Sequence, residues 1–237
     1  IHNEEDLINA LVQQPVPLLM QALARGEQEF GLMFARDVAT GRTELLSVTG
    51  KRFLSVVGDG QRTVEQLLSL TWRGQKQIER LRSVKGEELL RVPTQGERVV
   101  VEPIGNHCRG TIFFDACDLA TPALRDAVDA LFKDVHGINY GRLDVRAESE
   151  QALREGRFMI VELNGVSSEP GHIYDPSYSI FRCWIELVRH VRHVGRISLH
   201  EQRRSHQPTT LGELITRCER YFGWRLGPVR RLAAAFA

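Results

Sequence analysis

Two stretches in the second half of the chain, 142-RLDVR-146 and 157-RFMIVELNGVSSEPG-171, limit most strongly what it can fold into. Both read as strands, and strand side chains alternate faces, so residues two apart share one. Arg142 and Asp144 therefore share a face, as do Glu162 and Asn164. If the two segments pair, three oxygen-bearing side chains and a guanidinium meet on one surface. Desolvating an unpaired carboxylate is costly, so such a surface needs partners. A hard divalent cation is one. A salt bridge of Arg142 with Asp144 or Glu162 is the other, and spacing alone leaves both open.

The flanking sequence supplies strands and helices without strict βαβ alternation, which predicts an α+β fold with largely antiparallel sheets. Residues 3–14 read as a helix capped by Asn3. The second half of 18–37 reads as a strand, with 43–50 its antiparallel partner. A turn from 58 feeds a helix capped by Thr63, with Gln66 at the capping-box position. The polar, basic stretch 71–89 predicts another helix, and 97–105 and 110–118 predict strands. A helix over 121–137 opens with Thr121 and Pro122 and ends at Gly137. Residues 175–195 predict a helix that Asp175 caps, Pro176 starts and Gly195 ends. Ile180, Trp184, Leu187, Val188 and Val191 would be its buried stripe. A polar linker over 196–210 and a last amphipathic helix from about Leu211 to Phe222 complete the reading.

No stretch approaches the roughly 20 apolar residues of a membrane span, and the first residues lack the pattern of a signal peptide. The four cysteines show no CxxC spacing and read as reduced thiols, with Cys108 a small buried residue, so a cytoplasmic chain without a membrane partner is expected. The overall charge of +1 conceals an asymmetry. From Leu187 onward there are ten Arg against three Glu, a surplus of seven, which leaves −6 on the first 186 residues. A basic C-terminal part either docks on an acidic surface, a phosphorylated ligand or nucleic acid, or is a solvated helical face. Without an aromatic ladder or zinc-finger spacing, nucleic acid is not the expected partner.

Asp144, Glu162 and Asn164 are all hard oxygen donors, suited to Mg2+ or Mn2+ rather than to zinc. An arginine beside them suits phosphate oxygens. The pattern R-x-D, followed after a loop by an apolar run ending E-x-N, resembles the closing strands of the ATP-grasp ligases. Upstream, 21-QALARGEQEF-30 resembles that family's hinge and ribose-binding stretch. The segment 51-KRFLSVVGDGQRTVEQLL-68 is similar to the lid of the members that make cyanophycin and related peptide-like bonds, and 105-GNHCRGTIFFD-115 to the loop and strand that follow. The likeness covers roughly residues 1–190.

The resemblance implies an ATP-grasp lid and C-terminal subdomain. The parts would be 1–95 for ATP binding and the lid, 96–195 for the metal-binding subdomain, and 196–237 as a basic helical tail. It implies ATP and Mg2+ (or Mn2+) as cofactors. Asp144, Glu162 and Asn164 would hold the metal, and Arg142 would face the γ-phosphate or acyl phosphate. Lys51 would lean over the phosphates, Glu29 would accept from the ribose, and the backbone of Gln21, Ala22 and Leu23 would meet the adenine. His107 and Arg109 sit in a loop where a carboxylate or phosphate would lie, unless that loop is an ordinary turn. His172 either lines the acceptor site or is a satisfied core histidine. The implied activity joins a small-molecule carboxylate to an amine through an acyl phosphate, by a homodimer or a monomer. A nucleotide-binding module without turnover, and an interaction domain acting through the basic tail, are the alternatives. The family's glycine-rich loop, its two lysines and its preceding substrate domain would lie ahead of Ile1, in a longer protein or missing from a reduced form.

Overall fold

The computed structural model describes residues 3–13, 20–204 and 207–222. Five strands form one antiparallel sheet in the order β5-β2-β1-β6-β7. They are β1 (Gln28–Arg36), β2 (Thr43–Arg52), β5 (Ile112–Asp115), β6 (Tyr140–Ala147) and β7 (Met159–Asn164). The expected α+β class with antiparallel sheets is what the chain adopts. Central β1 is a nearly continuous apolar run because both its faces are covered.

Phe30, Leu32 and Phe34 point to one face, with Leu45, Val48, Leu143, Val145 and Ala147. They pack against α5 (Pro122–Leu131) and α6 (Glu150–Arg154) through Leu124, Val128, Phe132 and Leu153. Thr121 caps α5 as the sequence predicts, accepting from the Leu124 N–H. The helix stops at Leu131, short of the expected Gly137, because Arg36 Nη2 donates to the Phe132 and Val135 carbonyls at 2.7 and 2.9 Å and satisfies that end. The short α6 occupies the interval that reads only as polar sequence.

The opposite face carries Glu29, Gly31, Met33 and Ala35. Its far end, with Met33, Ala35 and Tyr140, lies under Val194 and Ile197 of α7 (Ile180–Arg203). Here the sequence reading needs correction. Ser179 caps α7, not Asp175, whose carboxylate accepts from the Asp115 N–H instead. The helix passes through Gly195 and absorbs much of the expected linker. The expected buried stripe is also wrong: Ile180, Trp184, Val188 and Val191 are exposed and Leu187 is half-buried. Apolar residues occupy two sides of this helix, and the side that packs is the one carrying His190, whose Nδ1 lies 3.1 Å from the Tyr140 hydroxyl.

Residues 54–102 form a small lobe with its own core. β3 (Leu54–Val57) pairs antiparallel with β4 (Arg98–Glu102) over α2 (Val64–Ser69), α3 (Trp72–Gln75) and α4 (Ile78–Leu90). The Thr63–Gln66 capping box is present. The single helix expected over 71–89 is broken at Lys76–Gln77, where the Gln77 side chain turns to the Cys108 carbonyl at 2.9 Å. β4 ends before Pro103, which has no N–H to donate. A boundary at 95/96 would fall between paired strands of both sheets, and one at 195/196 falls within α7. Helix α1 (Glu4–Gln13) lies on the α7 side of the sheet, where its Leu7 and Leu11 line a cleft, and α8 (Leu211–Phe222) matches the expected last helix. Residues 223–237, the end of the expected basic tail, lie outside the described residues.

Candidate functional site

Where α7 leaves the sheet uncovered, a cleft of about 1600 Å³ opens over the strands. Strand register builds its floor. Lys51 on β2 lies opposite Glu29 on β1, which lies opposite Arg146 on β6. In the next row, Thr49, Gly31, Asp144 and Glu162 run across four strands. Arg142 and Asn164 face each other beyond it. The absent side chain at Gly31 makes the arrangement fit. A Cβ there would sit 3.1 Å from Arg142 Cδ and 3.6 Å from Asp144 Oδ1.

The buried members are tightly paired. Lys51 Nζ is 2.8 Å from Glu29 Oε1 and 3.2 Å from Asp144 Oδ2, with the lysine side chain only 3% exposed. Arg142 donates from Nε to Asp144 Oδ1 at 2.8 Å and from Nη1 to the Glu169 carbonyl at 3.2 Å. Asn164 Nδ2 lies 3.5 Å from Asp144 Oδ2. The salt bridge expected as one alternative is therefore formed by Arg142 with Asp144, and Lys51 joins it. Glu162, directly opposite Asp144, is exposed and has no ion-pair or hydrogen-bond partner among the described residues. No group of three or more His, Cys, Asp or Glu side chains converges as a metal site among the described residues. The candidate donors are two carboxylates and one amide, a set that suits a hard cation.

The cleft rim is apolar, with Leu7, Leu11, Met20, Leu23, Ile104 and Val161. Gln21 Nε2 donates to the Val161 carbonyl at 3.2 Å, which seats residues 21–23 beside β7. At the other end, His107, Phe113 and Tyr174 form a cluster of three mutually touching rings, His107 meeting Phe113 edge-on and Tyr174 at a tilt. Burial, and secondarily Arg73, holds the His107 imidazole below its usual pKa. The Tyr174 phenol, donating to Glu169, is pushed up to about 12, mainly by that hydrogen bond.

Apart from Arg109 and His172, the expected site residues line this cleft. A tight turn at His107–Arg109 carries Arg109 away, to 3.6 Å from Glu102. His172 does not line the cleft either. It is 2% exposed under α7, with Nε2 at 3.7 Å from Glu186 and Nδ1 without a hydrogen-bond partner among the described residues. Cys108 is exposed, contrary to the expectation of a buried thiol.

Arg146 is the residue that sequence reasoning missed. Alternation over 142, 144 and 146 puts it on the cleft face. Its Nη2 donates to the Pro103 carbonyl at 3.0 Å and reaches Glu29 at 3.5 Å, and its guanidinium lies 5.7 Å from the Phe53 ring centre. One arginine thus grips both chain crossings into the small lobe. Gly105 is the other omission. A Cβ there would come within 2.2 Å of Glu29 Oε1, so the backbone itself covers that carboxylate.

No family model and no curated protein matches the chain. Among solved structures it is similar to a bifunctional glutathione synthetase from Pasteurella multocida, at 16% identity with a TM-score of 0.37. That match covers 59% of this chain and 20% of the other. No helix among the described residues is long and apolar enough to cross a membrane.

Proposed function

We propose that the chain is the metal- and phosphate-binding part of an ATP-dependent carboxylate–amine ligase of the ATP-grasp type. The observation that carries the reading is the convergence of Lys51, Arg142, Asp144, Glu162 and Asn164 on one open cleft with an apolar rim. Asp144, Glu162 and Asn164 would hold magnesium or manganese, which when bound neutralises negative charge on triphosphate oxygens. Lys51 and Arg142 present cations to the same space. They suit phosphate oxygens and the charge that develops during phosphoryl transfer. Glu29 would take the ribose hydroxyls in exchange for Lys51 or Arg146, which now hold its two oxygens, and the Gln21–Leu23 backbone, with Ala22 between, the adenine. Arg109 has no part in this reading, since it is paired outside the cleft. A substrate carboxylate takes the γ-phosphoryl group, an amine attacks the resulting acyl phosphate, and phosphate leaves. No protein nucleophile is required.

The test is ADP release that requires Mg2+, a carboxylate and an amine together. Glu162→Gln separates metal binding from folding, because Glu162 is exposed and the change removes charge while keeping shape. We expect Mg2+–ATP affinity by calorimetry to fall about tenfold or more, on the order of 1.4 kcal/mol, with an unchanged melting temperature. Unaltered affinity would remove Glu162 from the metal site. One observation favours a second reading, binding without turnover: both Asp144 oxygens are already engaged by cationic side chains. ATP binding without ADP release under every substrate pair would select it.

A further inference from the structure

Helix α7 carries a second apolar face that nothing among the described residues covers. Phe181, Trp184, Ile185, Val188, Val191 and Leu199 recur at helical spacing on its outer side and are all exposed, Phe181 at 77% and Val191 at 68%. Exposed Arg192, Arg196 and Arg203 lie on and beside this stripe, while Arg189, further round, is bridged to half-buried Glu186 at 3.0 Å. The other acidic residue of the helix, Glu201, is half-buried. An apolar stripe with a surplus of arginine calls for an occupant that is apolar and acidic.

The chain itself offers one. Helix α1 opens with exposed Glu4 and Glu5, and Ile8 and Val12 continue the same face at 52% and 80% exposure. Its other face, through Leu7 and Leu11, lines the cleft. Both helices lie on the same side of the sheet, α1 near the Glu29 end of β1 and α7 over Met33 and Ala35. Those ends are about 20 Å apart at strand rise. Two copies set face to face about a two-fold axis would therefore lay each α1 on the other's α7. Antiparallel pairing of α7 with its own copy, by contrast, sets arginine row against arginine row.

We propose that the outer face of α7 is a self-association surface whose occupant is α1 of a second copy, in a reciprocal two-fold pair. Each contact covers roughly 300 Å² per side, so the two together bury roughly 1,200 Å², at the lower end of specific interfaces. The contact also fixes one wall of the cleft, through α1.

Sedimentation of the full chain tests this. The expected result is a dimer that weakens between about 0.05 M and about 0.5 M salt and is lost in Val188→Asp. Glu4→Arg/Glu5→Arg and Arg192→Glu/Arg196→Glu should each weaken the dimer about tenfold, and combining all four changes in one chain should restore it. Circular dichroism checks that each variant is folded. A wild-type chain that stays monomeric overturns the proposal, as does a dimer indifferent to the α1 changes or not rescued by the combination. Salt-sensitive binding of a monomer to phosphatidylserine vesicles, lost in Val188→Asp, would assign the face to a lipid surface instead and also overturn it.

Discussion

Replacing Lys51 by Met should be the most damaging single change in the cleft. The ammonium lies 2.8 Å from Glu29 and 3.2 Å from Asp144, and the three side chains are 3%, 8% and 10% exposed. At an effective dielectric of about 20, those two contacts amount to attractions of about 6 and about 5 kcal/mol, before the cost of desolvation is set against them. Methionine keeps the length and the packing but leaves two carboxylates facing each other with one fewer cation. Breaking a buried pair on one side costs about 3–5 kcal/mol, and Arg142 and Arg146 still offer each carboxylate a partner, so the lower half of that range applies. Urea unfolding should show the midpoint falling with the slope against denaturant unchanged. One control follows from the same geometry. Lys51→Met/Glu29→Gln should recover part of the loss, because it removes a charge that the lysine had neutralised. A loss below about 1 kcal/mol would refute the reasoning, since that is what a solvated surface pair contributes.

Arg146→Ala should loosen the small lobe rather than the sheet: amide exchange should speed up around Phe53 and Pro103, while the sheet core keeps its protection. His190 should make the fold acid-sensitive. Burial, with His172 next in effect, lowers its pKa to about 4. The stability it contributes is full above its unfolded value of about 6.5 and is lost as pH falls toward 4, by about 3 kcal/mol in all. His190→Gln should flatten that part of the stability–pH curve, and equal slopes for the two proteins would exclude His190 as the source.

How far the sequence revealed this molecule depends on how many faces each element has to satisfy. The 142–146 and 157–164 pair was legible because a strand has two faces and a period of two. Once the segments pair, Asp144 must meet Glu162 and Arg142 must meet Asn164. The same rule reaches Arg146, which belongs to no recognisable motif. Caps were legible for a similar reason, since Thr63 with Gln66 and Thr121 with Pro122 act within one turn. Helix α7 was not. Apolar residues cover two of its sides, and periodicity cannot choose between them. The choice comes from Met33, Ala35 and Tyr140, which are distant in sequence. Arg109 was misplaced because the turn at His107–Arg109, not residue spacing, sets its direction.

The charge pattern of the cleft also limits how it can work. Lys51, Arg142 and Arg146 balance Glu29, Asp144 and Glu162, so the floor carries no surplus charge to attract a triphosphate. A ligand that binds here has to exchange partners. On the ligase reading, Lys51 and Arg142 would exchange Asp144 for phosphate oxygens, and Asp144 would be left, with Glu162 and Asn164, to hold the metal. Asp144→Asn should then have opposite effects on two ligands. It releases Arg142 from its carboxylate and leaves Lys51 with Glu29 alone, so affinity for ATP without metal should rise, while the gain from added Mg2+ should fall. Calorimetry with and without Mg2+ reads both. If the variant bound metal-free ATP no better than the wild type, Asp144 would not be what restrains the two cations, and the exchange would have to begin elsewhere on the floor.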